Sequence, residues 1–398
     1  MVYYNFKKHK EFFYLDLFVY LIPISIVLGN LIVNIVSFLC ILIYLSLFIK
    51  KKNLYENYKG YFNLFYFLIV FFILNLFISS NFQLTVNSVF GFIRYYLLFL
   101  IILYCLNEID GFKIIFSKII FILVVFIAID ILIQNFFLVD LFGYKIEGSH
   151  GRRLSGPFGD EKVAGSYIAK LFYLSCIFLI NKKFKNYILF IILFLIFVVI
   201  LTNERSASIM FLSGSLIFFI FCDIKFWKKI ILFFVAIISL LILFNFNNSL
   251  RSHFIEIPLK YFKDNHHKAH YLTAYEIFKD NKLLGSGVKT FRYICKDKKY
   301  EKINSKYVDK RCATHPHNIY LEILSETGIL GLSIILIINF YITFILIINF
   351  LKNKFLRGEL LFLFCNFFIL FWPLQTTGAF FSTWNGIFYW IFFSYFLV

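Results

Sequence analysis

Apolar residues run along this chain in long continuous blocks, broken by short polar stretches, and do not alternate with polar ones. A run of about 20 apolar residues predicts a helix that can cross the hydrocarbon core of a bilayer. Only helices and closed barrels satisfy their backbone there, and the absence of alternation points to helices. Twelve spans are expected, centred in 14–29, 31–49, 61–80, 90–106, 114–137, 163–181, 186–202, 206–222, 228–246, 328–351, 358–373 and 383–398. The expected fold class is an all-α polytopic membrane protein with about 12 transmembrane helices. Two breaks are longer than hairpins, at 138–162 and 247–317. The chain therefore reads as residues 1–246 with spans one to nine and the shorter loop, a large loop at 247–317, and residues 318–398 with spans ten to twelve. No repeat of fixed period is visible, and no linker divides the chain into two domains.

Composition agrees with the pattern: 61% of residues are hydrophobic and 16% charged, with a mean hydropathy of +0.81. The net charge of +18 could suggest a nucleic-acid partner, but the lysines flank the spans and do not gather into a basic domain. Membrane lipids are the partner this distribution predicts. Lys7, Lys8 and Lys10, then Lys50 to Lys52, Lys182, Lys183 and Lys185, Lys225, Lys228 and Lys229, and Lys352, Lys354 and Arg357 fall on alternate connections. The positive-inside rule puts these and both termini on the cytoplasmic side, and both long loops on the other. The first apolar run continues into a second span with no small-residue cleavage site, so no removable signal peptide is expected.

The large loop carries an amphipathic stretch, HYLTAYEIFKDNKLLGSGVKTF at 270–291, which predicts a partly helical, ordered subdomain. Cys40, Cys105, Cys176, Cys222 and Cys365 lie in or at the ends of spans and read as small buried residues. Cys295 and Cys312 lie in the large loop and are the disulfide candidate if that loop meets an oxidising compartment. No metal site is expected. There is no CxxC spacing, and His315 and His317 have no third ligand in register.

Ionisable groups within or beside spans are functional candidates by default, and here they favour the side of the long loops. Arg94, Asp130, Lys170 and Arg205 lie at or near that end of their spans, and Arg152 and Arg153 fall in GRRLSGPFGDEKVAGS. Arginine grips phosphate oxygens with a planar, bidentate fork, so these residues outline a basic pocket for a lipid-linked diphosphate. The plainer alternatives are headgroup contacts for Arg94 and Arg205, an ion pair between Asp130 and Lys170, and solvated charges at Arg152 and Arg153. In CATHPHNIYLEILSETGILG, residues 312–331, His317 precedes a helix on which Asn318, Glu322 and Glu326 share one face. A histidine there suits a general base, or a group that orients an acceptor hydroxyl.

The segment HNIYLEILSETGILG, with His317, Asn318, Gly328 and Gly331, resembles the O-antigen ligase family, which includes O-antigen polymerases and some protein O-oligosaccharyltransferases. The likeness extends to the span number, the large loop before the motif, RLSGPFGDEKVAGS and the arginine in TNERSAS. It implies a GT-C-like glycosyltransferase architecture in the bacterial inner membrane, acting at the periplasmic face without metal or other cofactor. The implied donor is a glycan on undecaprenyl diphosphate and the implied acceptor is lipid A-core. His317 matches the essential histidine and Arg205 the arginine near the diphosphate. Arg152, Arg153, Arg94, Asn318 and His315 complete the implied substrate-binding set. One departure stands out: relatives carry an arginine before a PLLGxG-like stretch, where this chain reads HHKAHYLTAYEIFKDNKLLGSG, with His267, Lys268 or His270 in its place. A polymerase or a protein glycosyltransferase would share the donor pocket. A transporter of lipid-linked sugars, from a different class, would carry paired repeats and midplane charges, which this chain lacks.

Overall fold

The computed structural model describes residues 13–50, 54–146, 153–180, 185–260, 265–352, 358–373 and 378–398. Lys7, Lys8, Lys10, Lys51, Lys52, Lys182, Lys183, Lys354, Arg357 and the candidate Arg152 lie outside the described residues. In chain order the principal helices are α1 (Phe13–Tyr20), α2 (Ile22–Leu28), α3 (Asn30–Lys50), α4 (Lys59–Phe77), α5 (Phe82–Glu108), α6 (Phe112–Phe137), α7 (Ala164–Ser175), α8 (Lys185–Leu201), α9 (Arg205–Phe221), α10 (Phe226–Phe246), α11 (His266–Asp280), α12 (Ile319–Lys352), α13 (Glu359–Phe371) and α14 (Thr383–Phe396). There is no strand among the described residues.

The apolar blocks become helices because, away from water, each backbone donor needs a partner within its own segment. Among the described residues, α3, α4, α5, α6, α10 and α12 are long and apolar enough to cross a membrane, and α8, α9, α13 and the stretch Ala164–Leu179 are shorter apolar helices. Their outward faces are apolar too: Phe246 on α10 is 88% exposed, and Ile49 on α3 81%. Such belts suit lipid, not water; the chain is a multi-pass membrane protein. The block at 14–29 forms two helices because Pro23 sits in the first turn of α2, where its missing N–H and fixed φ favour a start. Within α12 the backbone breaks at Gly328, with φ 68° and ψ −167°.

The chain forms two compact units, each assembled from separated stretches. The first comprises residues 1–112, 263–341 and 373–398, and the second 113–262 and 342–372. In the first, α14 lies along α5. Trp390 fits among Phe92, Tyr96 and Phe99 at ring distances of 5.5, 5.2 and 5.5 Å, and Ser394 Oγ donates to Phe99 O at 3.2 Å. In the second, α7, α9 and α13 pack together. Gly214 lets Ile369 and Tyr173 approach the α9 backbone, while Tyr173 donates to Ser215 Oγ at 2.8 Å.

Candidate functional site

In the first unit, α11 and the segment leading into α12 bring four imidazoles together. The His317 ring lies 4.2 Å from that of His315, 5.2 Å from His267 and 5.3 Å from His270. His267 and His270 are three apart on α11 and so share a face. That helix starts where the Asn265 side chain accepts from Lys268 N at 3.0 Å, which fixes the turn carrying both rings. His317 itself has φ 59°, a backbone state that costs a non-glycine residue about 1–3 kcal/mol and marks functional sites. Burial, with the neighbouring His267, lowers the His270 pKa to about 4, so at neutral pH this ring adds a neutral wall to the cluster. No group of three or more His, Cys, Asp or Glu among the described residues is arranged to hold a metal ion.

The polar stripe after His317 holds backbone in place. Asn318 Oδ1 accepts from Tyr320 N at 3.0 Å and Leu321 N at 3.1 Å, capping α12, and its Nδ2 donates to Pro373 O at 2.7 Å. Glu322 Oε2 accepts from Phe380 N at 2.8 Å. Glu326 accepts from Lys289 N at 2.7 Å and Phe291 N at 3.3 Å. Each side chain thus satisfies a non-helical backbone group that would be costly to leave unpaired in a buried place. The loop 282–287 closes against the break in α12 through Ile329 N to Lys282 O at 2.9 Å, Ser286 N to Ser325 O and Gly287 N to Glu326 O, both at 3.0 Å.

This arrangement collects cations that the sequence reading did not join. Lys289, at φ 61°, is held below its ordinary pKa by burial and then by Arg292, with Arg94 adding to the effect and Glu322 and Glu326 opposing it. Arg94 donates to the Tyr95 hydroxyl at 2.6 Å and lies over that ring at 4.6 Å. The Nε atoms of Arg94 and Arg292 are buried and have no acceptor among the described residues.

A disulfide joins Cys295 and Cys312, whose Cα atoms are 5.3 Å apart. It closes over a small core of Ala274, Ile277, Phe291 and Tyr300. Arg311 adds a clasp from Nε to Cys295 O at 2.9 Å and from Nη2 to Glu301 at 3.2 Å. The segment leading to His315 and His317 is therefore anchored to α11 and the loop after it.

In the second unit, Arg153, Arg205 and His253 interact electrostatically. Glu204 accepts from Gly165 N at 2.7 Å, Ser166 N at 3.3 Å and Ser166 Oγ at 2.7 Å, and so caps α7. Burial pushes its carboxyl up to about 7, against those hydrogen bonds and the charge of Arg153. His253 is lowered to about 4 by burial and then by Arg205 and Arg153. Asn203, just before this pair, has φ 61°. Lys170 is buried with Glu204 as its charged neighbour, and Asp130 accepts from Leu141 N at 2.8 Å.

Of the sequence candidates, the structure thus groups His315 with His317 in the first unit and Arg153 with Arg205 in the second, puts Arg94 beside Lys289, and gives Asn318 a capping role. His253 and Arg292 were missed because no motif or spacing singles them out, and Glu204 because only the fold shows that it caps α7, although it stands beside Arg205 in TNERSAS. Residues 189–336 match the family model described as O-Antigen ligase. No curated protein matches the chain.

Proposed function

The chain is a member of the O-antigen ligase family by its residues 189–336, and from that premise we propose that it moves a glycan from undecaprenyl diphosphate to lipid A-core at the periplasmic face of the bacterial inner membrane. The proposal includes twelve spans in a GT-C-like architecture and cytoplasmic termini. The observation that carries it is His317, held in a left-handed backbone state among three other imidazoles at the start of α12.

In the reaction an acceptor hydroxyl attacks the anomeric carbon from the side opposite the diphosphate. The new C–O bond forms as the bond to the phosphate oxygen breaks, and the electron pair leaves with the lipid diphosphate. His317 orients the hydroxyl and takes its proton. Arg94 and Arg292, in the same unit as His317, stabilise charge that develops on the leaving group, since an anion would satisfy their buried Nε donors; Arg205 is assigned to the donor diphosphate by its place in TNERSAS. A diphosphate already leaves readily, so positioned cations suffice without a metal.

The test uses purified protein, a glycan on undecaprenyl diphosphate, and lipid A-core. Wild type should label lipid A-core, and His317→Ala should reduce transfer by roughly 100-fold or more. Arg205→Ala should raise the donor KM. Lengthening of the lipid-linked glycan without transfer to lipid A-core would replace the ligase with a polymerase. Wild-type transfer by both variants would overturn the site.

A further inference from the structure

One cavity in the first unit has no part in the chemistry above. It is an open cleft of about 530 Å³ whose lining includes Asn81, Asn281, Tyr293, Lys296, Asp297 and Lys299. Asn281 directly follows α11, at the end opposite His267 and His270. Asn281 is eleven positions after His270, roughly 16 Å at the helical rise.

The lining has a definite chemistry. Tyr293 is 51% exposed although it is large and aromatic. Around it stand groups with hydrogen-bonding capacity left over: Asn81 Oδ1 accepts from Leu84 N while its amide N–H donors have no partner among the described residues, and Asp297 Oδ1 accepts from Lys299 N while its other oxygen has none among them either. Charge is nearly balanced, because Lys299 pairs with Asp280 at 2.8 Å and the other two charged lining residues, Lys296 and Asp297, are opposite in sign, with Lys296 Nζ 6.0 Å from the centre of the Tyr293 ring. An anion would find little net attraction, and an acyl chain would strand the amides and carboxylate. A pyranose has an apolar C–H face for the tyrosine ring and a rim of hydroxyls for the amides.

We propose that this cleft is a glycan subsite, holding sugar residues of the transferred chain at some distance from the reacting carbon. The inference rests on the glycosyl-transfer reading and names where the enzyme recognises more than one sugar. The disulfide gives the cleft a mechanical tie to the histidines. Cys295 lies between Tyr293 and Lys296, and its partner Cys312 is three residues before His315.

The experiment measures binding apart from turnover. Full-length His317→Ala protein in nanodiscs is titrated with oligosaccharide released by mild acid from the lipid-linked glycans of the producing cells, and tyrosine ring signals are followed by NMR. The oligosaccharide should bind, and a further Tyr293→Ala change should weaken binding about 10-fold, whereas Tyr293→Trp should keep it within about 2-fold. With active protein, Tyr293→Ala should lower the kcat/KM ratio of a long-glycan donor over a single-sugar donor by a similar factor. No binding to His317→Ala protein, or equal affinity with and without the tyrosine ring, would overturn the subsite. Failure of wild-type transfer would strike the enzyme reading while leaving the binding result to be judged separately.

Discussion

Gly328→Ala should do more damage than its single methyl suggests. The residue sits at φ 68° and ψ −167°, a region essentially reserved for glycine, where strain is about 1–3 kcal/mol. A Cβ there would overlap the Leu283 carbonyl and stand 2.6 Å from Gly285 N. Both are backbone atoms, so no side-chain rotation relieves the contact. Gly285, at φ 71°, meets the Glu326–Thr327 peptide in the same way from the other side. Overpacking adds about 1–3 kcal/mol, and moving the loop away would lose bonds such as Ile329 N to Lys282 O, about 1 kcal/mol each. The sum, about 3–7 kcal/mol, is a large part of the stability of an ordinary domain. Thermal unfolding of the purified protein, followed by size-exclusion chromatography, should show Tm falling by roughly 4–8 °C. Gly91→Ala is the matched control: it lies inside α5 with nothing within 4 Å of its Cβ, and should be neutral or stabilising by about 0.5–1 kcal/mol. A Gly328→Ala protein that melts within about 2 °C of wild type would refute the reasoning.

Glu204→Gln should flatten the pH dependence of stability. The folded pKa is raised from 4.5 to about 7, so the folded state binds the extra proton, and this contribution is present below pH 4.5 and lost as pH rises through 7; the slope of Tm between those pH values should shrink in the variant, and an unchanged slope would count against a titrating Glu204. Breaking the bond between Cys295 and Cys312, by Cys295→Ser or by reductant, opens a crosslink spanning 17 positions, worth about 3 kcal/mol. Limited proteolysis should then cut within 247–317 much faster while circular dichroism of the membrane helices holds; equal cleavage rates would deny the disulfide its role.

The helices were legible because bilayer physics leaves few choices: α6 was expected at 114–137 and runs over Phe112–Phe137, and α10 was expected at 228–246 and runs over Phe226–Phe246. The break at Gly328 was latent in the motif glycine, but its cause was not, since the atoms that forbid a side chain belong to Leu283 and Gly285, more than forty positions away. The same limit governs the site. His315 and His317 were visible as neighbours in sequence, while the approach of His267 and His270 depends on how α11 folds back, which no local spacing records. Glu322 and Glu326 were legible as a stripe on one helical face. That they satisfy the backbone of Phe380, Lys289 and Phe291 could be read only from the fold.

The pairing of α5 with α14 has a consequence for how the protein is made. Ser394 meets the Phe99 carbonyl across 295 positions of chain. At ordinary synthesis rates of about 5–20 residues per second, α5 therefore waits roughly 15–60 s for its partner. Through that interval the side of Phe92, Tyr96 and Phe99 that Trp390 fills must be covered by lipid or by the insertion machinery, their other side being met by Phe72, Phe65 and Tyr61 of α4. The α5 side of the first unit is thus completed only when α14 arrives, and a chain that stalls before it leaves that face without the tryptophan that fills it.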